Sequence, residues 1–211
     1  MIVTGIYKRK GKYEIYLDHE HAFSLTDEGL YKLKLTQGME FVPSESVNAI
    51  LSEDEILRCK NRAMYIVSVT PKSKKILQSK LREEGFSENA VEQTMQFMQE
   101  YDFTDDVELA KSLVRSGVRK NSSTRQIKQK LYEKGISRED SSRVLDEMEI
   151  DEKENALEVA MKKYRSLRNK TKEEIIKKVR YALSYRAFSY DAMRYALGEI
   201  EKIIKESELE E

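Results

Sequence analysis

The stretch Lys80-Leu81-Arg82-Glu83-Glu84-Gly85-Phe86-Ser87 returns fifty residues later as Lys130-Leu131-Tyr132-Glu133-Lys134-Gly135-Ile136-Ser137. A fainter third copy follows as Ala182-Leu183-Ser184-Tyr185-Arg186-Ala187-Phe188-Ser189. The match extends in register on both sides. Leu77, Ile127 and Val179 stand four residues before the shared Leu, and Met95, Leu145 and Leu197 stand fourteen after it. A period of about fifty residues is the mark of a stacked repeat, in which one unit does not cover its own apolar face. The expected architecture is mainly α: three tandem three-helix repeats in an elongated curved array, with a small β-rich N-terminal extension.

Composition agrees with a surface-rich helical protein. Of 211 residues, 39% are hydrophobic and 36% charged, with two Pro, eight Gly and no Trp, which suits helices better than a large β fold. The single cysteine, Cys59, leaves no internal disulfide framework and fits a reducing cytoplasm. No apolar run reaches membrane-spanning length and no signal-peptide core opens the chain, so a soluble cytoplasmic monomer is expected.

Net charge is zero, yet the charges are sorted. From Glu83 to Glu108 there are nine acids and no Lys or Arg. From Lys111 to Lys130 the sign inverts, with Lys111, Arg115, Arg119, Lys120, Arg125, Lys128 and Lys130 and no acid. A second basic stretch runs from Lys162 to Arg186, diluted by Glu173 and Glu174. Such blocks orient a charged partner; solvated helix faces pairing across repeats are the plainer alternative.

Residues 1–51 read as the β-rich extension. Strands are expected at Ile2 to Lys8, Tyr13 to Asp18 and Ala22 to Leu25, then a helix opening at Thr26 and a strand from Met39 to Val42. The repeats are expected at 52–102, 103–150 and 151–205, followed by a frayed acidic tail at 206–211. Ser52-Glu53-Asp54-Glu55 has the form of a capping box and is expected to open the first helix, with Ile56, Leu57, Ala63, Met64 and Val67 buried. Further starts are expected at Thr70 with Pro71, Ser87, Thr104, Ser122-Ser123, Ser137, Asp151, Thr171 and Ser189. Gly85, Gly117 and Gly135 suit the left-handed position that closes a helix. The third repeat has Ala187 there, so a different ending is expected.

No catalytic constellation emerges, and neither an enzyme nor a cofactor is expected. His19 and His21 lack further ligands and read as turn residues rather than a metal site. Cys59 has no His partner and reads as an inert thiol. Asp105-Asp106 supplies negative charge to a helix start. Tyr164, Tyr181, Tyr185, Phe188, Tyr190 and Tyr195 interleave with Arg165, Arg180, Arg186 and Arg194. That mixture suits bases stacked beside phosphate-binding cations. The helical spacing of Tyr181, Tyr185 and Phe188 also suits packing between helices, the reading preferred for most of them.

The helix ending Lys-Leu-x-x-x-Gly, the run Tyr101-Asp102-Phe103-Thr104-Asp105-Asp106 before Leu109-Ala110, and Arg125 to Ile136 together resemble the RecX regulatory family. The resemblance spans about residues 53–200. Two departures stand out: Lys72-Ser73 where the family often has Arg-Ser, and Arg119-Lys120-Asn121-Ser122-Ser123 where a Gly-containing basic turn is usual. The resemblance implies a protein that binds the RecA recombinase on single-stranded DNA, lies in the filament groove and restrains recombination and repair.

The candidate contacts fall in three clusters: Lys72, Lys74 and Lys75; Arg115, Arg119, Lys120, Arg125 and Lys128; and Lys162, Lys163, Arg165, Arg168 and Lys170. Their expected role is charge steering and hydrogen bonding to acidic filament surface or to phosphate, of single- or double-stranded DNA. The competing reading is a direct DNA-binding protein with a helix-turn-helix-like unit, against which stands the neutral net charge.

Overall fold

The computed structural model describes residues 1–167 and 170–209. The chain divides into two units, Met1–Asp105 and Asp106–Glu211.

In the first unit, β1 (Val3–Arg9), β2 (Lys12–Leu17) and β3 (Glu20–Leu25) form an antiparallel sheet in chain order. Both hairpins turn on two residues with positive φ, Lys10-Gly11 and Asp18-His19, the geometry that matches strand twist. The expected strand at Met39 to Val42 is instead a single bridge between Ile2 and Glu40. Val42 is exposed, and Pro43 has no N–H to carry a ladder further. Helix α1 (Asp27–Leu33) starts where expected, with the Thr26 hydroxyl accepting from Gly29 N.

Helix α2 (Glu45–Val69) corrects the sequence reading. Ser44 is its cap, accepting from Val47 N at 3.2 Å, and Ser52 lies in its interior. No Gly or Pro interrupts residues 45–69, so the helix continues through the apparent box. Glu55 serves another helix: its carboxylate accepts from the Ser87 N–H at 2.9 Å and from the Ser87 hydroxyl at 2.7 Å. Of the expected buried positions Ala63 is buried, Ile56, Met64 and Val67 are half-buried and Leu57 is exposed, while Cys59 and Ile66 are buried instead. α2 spans two cores, giving Val47 and Leu51 to the sheet and Cys59, Ala63 and Ile66 to the first repeat.

Asp54 of α2 fastens the extension to that spine. It is buried, accepts from Thr26 N at 3.0 Å and from the Thr26 hydroxyl, and pairs with Arg58 Nε at 2.9 Å. A buried charge with fewer partners would carry an uncompensated desolvation cost.

Helices α3 (Lys74–Glu83) and α4 (Glu88–Glu100) complete the first repeat. α3 opens at Ser73 rather than Thr70, which ends α2. In the second unit, α5 (Asp106–Arg119), α6 (Thr124–Glu133) and α7 (Arg138–Glu147) form the second repeat. α8 (Glu152–Arg165), α9 (Lys172–Tyr185) and α10 (Tyr190–Leu209) form the third. Thr104 does not cap α5; its hydroxyl is buried and unpartnered among the described residues. The expected fraying from Glu206 is not seen as far as Leu209, and residues 210 and 211 lie outside the described set.

The repeat register is visible atom by atom. Leu81, Leu131 and Leu183 are fully buried, as are Leu77 and Val179, and Ile127 is 2% exposed. Each repeat closes a core of its own, so a unit covers its apolar face more fully than the repeat argument expected. Each middle helix ends alike: Phe86, Ile136 and Phe188 donate to the carbonyls of Leu81, Leu131 and Leu183 at 3.3, 3.1 and 3.3 Å. Gly85, Gly135 and Ala187 occupy the left-handed position with φ of 87, 74 and 56°. Ala187 thus ends its helix as Gly does, contrary to expectation, and bears the Cβ strain of that conformation.

Gly117 is not a terminator. It lies inside α5, where an added Cβ would stand 2.6 Å from Ile127 Cγ1, and the left-handed residue after the helix is Asn121.

Candidate interaction surfaces

The α5–α6 turn of the second repeat brings part of the predicted basic cluster together. Ser123 caps α6, accepting from Gln126 N at 3.2 Å. The same hydroxyl donates to the Arg186 carbonyl at 2.7 Å. Asn155 Nδ2 donates to the Ser122 carbonyl at 3.2 Å, and Glu152 accepts from Thr124 N at 3.0 Å. Three bonds therefore fix this turn against the third repeat.

Beside it lies a cleft of about 430 Å³ lined by Lys120, Arg125 and Lys130 with Gln126, Gln129 and Glu133. Three cations against one carboxylate favour an anionic ligand group. Arg119 and Lys128 are exposed but do not line the cleft. Among the described residues Arg119, Lys120, Arg125 and Lys128 form no ion pair. Arg115 is engaged with Glu108 on its own helix. Lys130 and Gln129 were not singled out from sequence, although Lys130 closes the acid-free block.

The other clusters sit at helix ends. Lys72 precedes α3, and Lys74 and Lys75 begin it, with Lys75 exposed. Lys162, Lys163 and Arg165 sit in the last turn of α8, where cations complement the helix dipole. Lys170 is exposed beyond it. Arg168 lies outside the described residues.

A second concavity, of about 1060 Å³, lies in the first unit between the hairpin residues Lys10 and Lys12 and the α2 residues Arg58, Arg62 and Tyr65. Its two arginines are already committed. Arg58 is held by Asp54, and Arg62 meets Glu84 through two bonds of 2.6 Å. That pairing holds the Glu84 carboxyl below its ordinary range, against a smaller opposing effect of burial.

The aromatic residues of the third repeat correct the packing expectation. Phe188 is buried in the repeat core and Tyr164 packs against it. Tyr181, Tyr185 and Tyr190 are 72, 80 and 73% exposed. His21 packs edge-on against Tyr16 at 5.5 Å, and His19 sits in the β2–β3 turn. Among the described residues no three His, Cys, Asp or Glu side chains converge as a metal site would require. Cys59 is buried, which pushes its thiol pKa up and leaves little thiolate. No helix among the described residues is long and apolar enough to cross a membrane.

Comparison with known proteins adds family to this geometry. The second three-helix domain of RecX matches residues 105–145, and the third matches residues 151–197. The chain is 32% identical to the regulatory protein RecX of Clostridioides difficile, over 94% of this chain and 95% of that one. It is 30% identical to that of Caldanaerobacter subterraneus, over 94% and 99%. A crystal structure of regulatory protein RecX superposes with a TM-score of 0.64 at 27% identity, covering 92% of this chain and 98% of the other. RecX from Lactobacillus salivarius shares the fold at the same TM-score, with 22% identity and coverage of 71% and 98%. With its repeats and its full-length relatives in agreement, the chain belongs to the RecX family of regulatory proteins.

Proposed function

We propose that this protein is a non-enzymatic modulator of homologous recombination that binds RecA filaments on single-stranded DNA and restrains them. Family membership supports the reading. So does the one observation on which it leans most: the exposed cations Arg119, Lys120, Arg125 and Lys128, without an ion pair among the described residues, around a turn fixed by three inter-repeat bonds. Cations held by a rigid backbone and not neutralised by neighbours are available to acidic protein surface or phosphate. The clusters at Lys72, Lys74 and Lys75 and at Lys162, Lys163, Arg165, Arg168 and Lys170 are secondary candidates.

The test compares binding to RecA-coated single strands with binding to the same strands naked, across a salt series. Clear preference for the coated strand supports the reading. Equal affinity for naked DNA with a steep salt slope assigns the protein to direct DNA binding instead.

A further inference from the structure

Helix α9 presents two unlike faces. Ile175, Val179 and Leu183 are buried in the third core, while Lys177, Lys178, Arg180, Tyr181, Ser184 and Tyr185 are exposed. Tyr181 and Tyr185, one turn apart, hold their rings 6.4 Å from centroid to centroid and 24° from parallel. At 72 and 80% exposure these rings contribute little to the core. Tyr190 opens the next helix, also exposed, with the Arg194 guanidinium 5.9 Å from its ring. Arg194 is itself paired with Asp191, so the free charge of this face comes from α9. From Ile175 to Tyr190 there are four cations and no acid.

The face continues into a second cationic feature. Arg186 and Ala187 follow α9 directly; the Arg186 carbonyl is bound by Ser123, and Ala187 lines the cleft that holds Lys120, Arg125 and Lys130. Flat aromatic faces next to unneutralised cations are what an unpaired strand requires, since its bases expose π-faces and its phosphates need charge. A duplex hides those base faces in its own stack.

We propose that the exposed face of α9 is a base-stacking site for single-stranded nucleic acid, with the Lys120, Arg125 and Lys130 cleft taking phosphate. This goes beyond the regulator reading and is measured without any recombinase. Base–aromatic stacking is sequence-tolerant, so a polythymidine strand is a sufficient probe.

The experiment measures anisotropy of a labelled oligothymidine at low salt with the full chain and two double variants. Tyr181→Ala with Tyr185→Ala weakens binding roughly ten-fold or more. Tyr181→Phe with Tyr185→Phe keeps it near the wild-type value, and a duplex of equal length binds less well than the single strand. Melting by circular dichroism is unchanged in both variants, as the exposure of the rings requires. Wild-type protein that ignores the strand, or an alanine variant that binds as well as wild type, overturns the proposal. So does a phenylalanine variant as weak as the alanine one. Loss of RecA inhibition in the alanine variant with DNA binding intact would assign the tyrosines to a protein partner and overturn it equally.

Discussion

The Ser123 hydroxyl stands 2.7 Å from the Arg186 carbonyl, sixty-three residues away, while its lone pair caps the N-terminus of α6. One buried side chain therefore satisfies an orphan amide in the second repeat and an orphan carbonyl in the third. Ser123→Ala removes both bonds and leaves two part-buried backbone groups unpaired. The expected loss is about 2 kcal/mol of unfolding free energy, read by urea denaturation. A loss below about 0.5 kcal/mol would mean water replaces the hydroxyl at no cost.

Ala187 takes the left-handed position that Gly85 and Gly135 take without strain. Ala187→Gly relieves the Cβ penalty but frees the unfolded chain. The expected net gain is about 0.5–1 kcal/mol. A thermal melt that falls instead would show that the alanine methyl contributes packing along the cleft it lines.

Gly117→Ala runs against helix propensity, which alone would favour Ala in the interior of α5. The new Cβ would meet the buried Ile127 side chain 2.6 Å away. Overpacking predicts a loss of about 1–3 kcal/mol, measured by chemical denaturation. A gain would mean that α5 and α6 separate freely.

Much of this architecture was legible because it repeats. Leu81, Leu131 and Leu183 carried the core register, and Ser87, Ser137 and Ser189, each six residues later, carried the caps. Ser52 misled because local capping chemistry was present while its acid was used across space by Ser87. The length of α2 instead depended on the absence of breakers upstream. Tyr181 and Tyr185 share helical spacing with Val179 and Leu183, yet sit two residues out of phase. Two residues are about 200° around a helix, so phase rather than spacing decided exposure. The cleft depended on tertiary bonds from Asn155, Glu152 and Ser123, which no local pattern announces.

Acid should weaken the first unit through Glu84. Pairing with Arg62 lowers its pKa beneath the ordinary 4.5. Its contribution is therefore complete above about that pH and disappears as pH falls through the lowered value. Both side chains are partly exposed, so the contribution stays below about 1 kcal/mol. Glu84→Gln is expected to be slightly less stable than wild type at neutral pH, the difference closing in acid. A difference that does not change with pH would separate the pair from the acid response.

The most direct measurement is RecA's DNA-dependent ATP hydrolysis with the purified protein added, beside a variant reversed to Glu at Arg119, Lys120 and Arg125. The account predicts that wild-type protein suppresses hydrolysis and that the folded triple variant suppresses it far less. Hydrolysis that ignores the wild-type protein would contradict the account at its root, and equal suppression by the variant would remove the second repeat from the contact.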